Sequence, residues 1–127
     1  MIFETVDGQH YTVRDLDDRS AKLALKLESF GMLPGDRLSL VAAKSINFIL
    51  LYFACLRSGV IFNPLNPSYT DTEIRFFVSD AESSVVFTDL NNFDKIKRVV
   101  DDLDSVKTIQ CLDDIDYDGE AAGHSIR

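Results

Sequence analysis

Leu56-Arg57-Ser58-Gly59-Val60-Ile61-Phe62-Asn63-Pro64-Leu65-Asn66-Pro67 governs how the rest of this chain must be read. Here a helix end meets a glycine stop, a short apolar strand (Val60-Ile61-Phe62) and a double Asn-Pro corner, with nothing between them. Gly59 suits the left-handed backbone that ends a helix, because it has no Cβ to clash. Each proline holds φ at about −65° and drives the asparagine before it toward extended geometry. Two such units after a buried strand re-aim the chain and remove two amide donors. They serve either as a rigid packing corner or as the wall of a ligand pocket, and the residues alone leave both open.

Upstream, Ser45 can cap a helix that runs to about Arg57. Ile46, Phe48, Ile49, Leu50, Leu51, Tyr52, Phe53, Ala54 and Leu56 leave it little polar surface. A helix that apolar is expected to be covered on more than one side. Leu38 to Ala42 is a strand, entered through the turn Leu33-Pro34-Gly35-Asp36. Before it, Leu16, Leu23, Ala24, Leu27 and Phe30 share one helical face, from a Thr12/Asp15 capping box to a stop at Gly31. Ile2 to Thr5 and Gln9 to Thr12 flank Asp7-Gly8, which suits a tight hairpin turn.

Downstream, Thr70 and Glu73 form a second capping box, and Ile74, Phe77 and Val78 face inward from the helix it starts. Val85-Val86-Phe87 is the next strand and Asp89 the next cap. A helix from about Asn92 to Leu103 groups Phe93, Ile96, Val99, Val100 and Leu103, and Val106 to Cys111 is the last strand. Strands alternating with helices predict parallel pairing through crossovers. The expected fold is α/β in a single domain. It has a β-hairpin over residues 1–12, α/β layers with a mostly parallel sheet over 13–111, and an acidic loop or tail over 112–127.

The 127 residues are 46 % apolar, enough for one core that buries about two thirds of the unfolded surface. Net charge is −8 and unevenly placed. Asp101, Asp102, Asp104, Asp113, Asp114, Asp116, Asp118 and Glu120 face a single base in that stretch, Lys107. Nucleic acids and anionic membrane surfaces are excluded as partners, since no basic stripe exists to bind them. Cys55 lies in the apolar helix and Cys111 at a strand end, so both are expected as buried thiols, not as a disulfide or metal pair. No signal-peptide pattern is visible, and Ile46 to Leu56 is far shorter than the ~20 residues of a membrane span. A cytoplasmic protein without a membrane span is expected.

Few residues offer chemistry. Asp114-Ile115-Asp116-Tyr117-Asp118-Gly119 opens like an EF-hand loop, but Ser125 stands where a bidentate Glu is required, so a solvated acidic loop is expected. His10 and His124 have no Cys or carboxylate at ligand spacing. No glycine-rich phosphate loop occurs. Asp89 follows a strand, as a phosphoacceptor would, yet Ala43-Lys44-Ser45 replaces the acidic pair such a site needs. A helix-cap role is expected for it.

Tyr11-Thr12-Val13-Arg14-Asp15-Leu16 resembles the first core motif of the adenylate-forming (AMP-binding) superfamily, and Leu56 to Asn66 resembles its second. Leu33-Pro34-Gly35-Asp36-Arg37-Leu38 looks like the common turn between them. Pro64-Leu65-Asn66, Tyr69-Thr70, Glu73, Phe76-Phe77 and Asp80-Ala81-Glu82 are most similar to the malonyl-CoA synthetase branch of the acyl-CoA ligases. Asn63 departs from the apolar residue usual before that proline. The resemblance covers roughly residues 3 to 90.

The resemblance implies a two-step ligase in which a small carboxylic acid is adenylated by Mg-ATP and passed to coenzyme A. The phosphate loop, the ribose-binding aspartate and the lysines of the family are absent from these residues. No catalytic, cofactor-binding or metal-ligating residue is therefore assigned. The expectation is an N-terminal fragment, inactive alone, with ATP, Mg and coenzyme A belonging to the full-length family. Its expected partner is the missing remainder of the ligase or a second copy of itself. The alternatives are a non-catalytic interaction module and a small nucleotide- or acyl-binding α/β protein.

Overall fold

The computed structural model describes residues 2–4 and 10–114. Strands β1 (Ile2–Glu4) and β2 (His10–Thr12) pair antiparallel, Phe3 opposite Tyr11. The Asp7-Gly8 turn and the tail from residue 115 on lie outside the described residues. Helix α1 (Val13–Ser29) follows β2 directly. Its capping box closes both ways. The Asp15 amide donates to Thr12 Oγ1 at 3.0 Å, and the Thr12 amide donates to Asp15 Oδ2 at 2.9 Å. Hydrogen bonding from Thr12, chiefly through its backbone amide, holds the Asp15 carboxyl below the usual carboxylate range. The helix ends at Phe30, and Gly31 takes φ 85°.

The chain then alternates β3 (Arg37–Val41), α2 (Ile46–Ser58), β4 (Ile61–Leu65), α3 (Asp71–Ala81), β5 (Val85–Thr88), α4 (Phe93–Val100) and β6 (Thr108–Cys111). The four later strands form one parallel sheet in the order β4-β3-β5-β6. Period-two alternation divides its side chains between two cores. Leu38, Leu40, Val85 and Phe87 meet α1 and α2 on one face. Val41 and Val86 meet Ile74, Val78, Ile96 and Val100 of α3 and α4 on the other. The result is three layers with helices on both faces, as the alternation of elements predicts.

Four expectations need correction. The strand expected at Val60–Phe62 runs instead from Ile61 to Leu65, so Asn63-Pro64 is strand and only Asn66-Pro67 turns the corner. Nor is that strand buried; it is a sheet edge, with Ile61 exposed and Leu65 buried. The Ile61 amide donates inward to the Asp36 carbonyl at 2.8 Å. Strand alternation therefore turns the Pro64 nitrogen outward, where no ladder bond is lost.

The helix expected over 92–103 is shortened to Phe93–Val100. A 3-10 turn at Leu90–Asn92, capped by Asp89, takes up its start. The last strand begins at Thr108, not Val106. The Val106 amide instead closes a turn on the Leu103 carbonyl at 3.1 Å.

Candidate functional site

In a parallel sheet the C-terminal ends of the strands form the rim where ligands gather, at the point where successive helices leave on opposite faces. Here β3 leads to α2 on one face, while β4 and β5 lead to α3 and α4 on the other. The loops diverge to leave an open cleft of about 330 Å³. Ala42, Lys44 and Phe48 line one wall, and Pro64, Asn66 and Pro67 the other. The Asn-Pro segment is thus both edge strand and cleft wall.

Local hydrogen bonds fix this rim. Ser45 Oγ accepts the Phe48 amide at 3.2 Å and starts α2. Asn66 Oδ1 accepts the Ser68 amide at 2.9 Å and the Ser68 hydroxyl at 2.8 Å, which makes the turn after β4. Thr88 Oγ1, fully buried, donates to the Val41 carbonyl at 2.9 Å and ties β5 to β3. Asp89 Oδ1 accepts from the Asn92 amide at 3.1 Å and from Asn92 Nδ2 at 2.7 Å. Asp113 Oδ2 accepts the Leu90 amide at 2.9 Å. Both rim carboxylates are therefore caps, as the sequence indicates for Asp89.

His10 is exposed on β2. His124 and the EF-hand-like loop after Asp114 lie outside the described residues. Cys55 and Cys111 are free and buried. Burial pushes the Cys55 thiol up to about 12, and also raises Cys111, so neither supplies a thiolate near neutral pH. No group of three or more His, Cys, Asp or Glu at metal-binding distance occurs among the described residues.

Sequence reasoning missed one polar feature. The Ser39 and Ser83 hydroxyls lie 2.6 Å apart, both residues fully buried, and Asn63 Nδ2 donates to Ser39 Oγ at 3.0 Å. A serine inside Leu38-Ser39-Leu40, in a strand covered on both faces, was the available signal.

A family model described as AMP-binding enzyme matches residues 1–125. The chain belongs to that family. An acyl-CoA ligase of Beauveria bassiana, sidI, is 30 % identical over 109 residues, 86 % of this chain and 18 % of the relative. 4-Coumarate–CoA ligase CCL1 of Humulus lupulus is 29 % identical over 106 residues, 84 % of this chain and 19 % of the relative. Apo MatB from Rhodopseudomonas palustris matches with a TM-score of 0.79 and 28 % identity, covering 98 % of this chain and 25 % of MatB. ATP-bound MatB matches with a TM-score of 0.78 and 26 % identity, over 97 % of this chain and 26 % of that one. The chain thus spans about a fifth of these curated relatives and a quarter of MatB. It has the fold and sequence of the N-terminal region of an AMP-binding enzyme related to acyl-CoA ligases.

Proposed function

We propose that this chain is the structural frame of an ATP-dependent acid–CoA ligase of the malonyl-CoA synthetase type, and is catalytically silent by itself. In that reaction a carboxylate oxygen attacks the α-phosphate of ATP and pyrophosphate leaves. The thiol of coenzyme A then attacks the acyl carbonyl and AMP leaves. Such chemistry requires groups that position phosphates and offset their charge.

The rim does not fit a triphosphate or its magnesium. The rim carboxylates Asp89 and Asp113 would repel phosphates and are already bound to backbone amides, and Lys44 is the single cation among the residues lining the cleft. That single observation carries the silent-frame reading. Pro64-Leu65-Asn66, Tyr69-Thr70 and Glu73 support the branch, and each has a structural duty here. Pro64 guards the edge and Asn66 makes the turn, while Glu73 accepts the Thr70 amide at 2.8 Å to close the capping box of α3. The reading places the protein in the cytoplasm. Among the described residues, no helix is long and apolar enough to cross a membrane.

ATP–pyrophosphate exchange with malonate and with longer acids tests the proposal. It is measured on this chain and on a chimera in which the chain replaces the matching quarter of MatB. We expect no exchange from the chain and malonate-dependent exchange from the chimera. Exchange by the chain alone would remove the silent-frame reading. A folded chimera without malonate-dependent exchange would remove the malonyl assignment.

A further inference from the structure

We draw no further inference here: the strongest candidate, the outer edge of β6 with the trough beside it lined by Phe93, Lys97, Val106, Lys107 and Ile109, carries nothing, because the chain spans about a quarter of MatB and nothing in the structure shows what covers that edge.

Discussion

Half-buried Asn63 and the buried Ser39 and Ser83 form a polar chain in which each hydroxyl depends on its neighbour. Its donation to Ser39 gives Asn63, the polar residue before Pro64, a local purpose. Ser39→Ala should lower stability by about 1–3 kcal/mol, because it leaves the Ser83 hydroxyl buried without its partner. Ser39→Ala with Ser83→Ala should cost less than the sum of the two single changes, since no orphan then remains. Urea unfolding of the three variants measures both terms.

Cys55 adds a pH dependence. Its thiol rises from 9.0 to about 12 on folding, so the unfolded chain gives up this proton first. The corresponding stability is fully present below about pH 9 and is lost as pH climbs toward 12. The decline approaches about 1.4 kcal/mol per pH unit where only the unfolded form is ionised. Urea midpoints between pH 8 and 11 should fall accordingly, and Cys55→Ala should flatten part of that fall. Cys111, also raised by burial, keeps the remainder.

At the level of elements, caps and stops hold the fold in register. Gly59 ends α2 with φ 72°, and a Cβ placed there would lie 3.1 Å from Pro34 Cβ. Its carbonyl also accepts the Gly35 amide at 2.8 Å, which joins this stop to the turn before β3. Gly59→Ala should cost about 1–2 kcal/mol through the left-handed backbone, with crowding against Pro34 added. Gly31→Ala should cost less, because nothing lies within 4 Å of the added methyl there. Thr70→Ala removes the acceptor of the Glu73 amide, 3.1 Å away, and should cost about 1 kcal/mol. Thermal melts of the three variants rank these effects.

Across the whole molecule, acid outweighs base by eight charges, and several of the acids lie around α4 and β6. The acidic side carries Arg75–Asp102 at 2.6 Å, which holds the Asp102 carboxyl below its ordinary range. That pair is exposed and contributes little by itself. The surplus of acid over base matters more, so moderate salt should raise the melting temperature by screening it. A melt series in sodium chloride checks this, and a flat response would show that the surplus is too dispersed to matter.

The sequence by itself determined both capping boxes, the glycine stops, the alternation of elements, the burial of both cysteines and the membership of the AMP-binding family. Those signals act over a few residues, or are written directly in residue identity. Tertiary structure alone decided the strand order β4-β3-β5-β6, the place of Asn63-Pro64 inside an edge strand, and the hydroxyl chain from Asn63 to Ser83. It also placed Ile49, Tyr52, Phe53 and Leu56 together on the exposed side of α2. Each of these depends on which distant segments come into contact, and local patterns of hydrophobicity or turn chemistry carry no record of that.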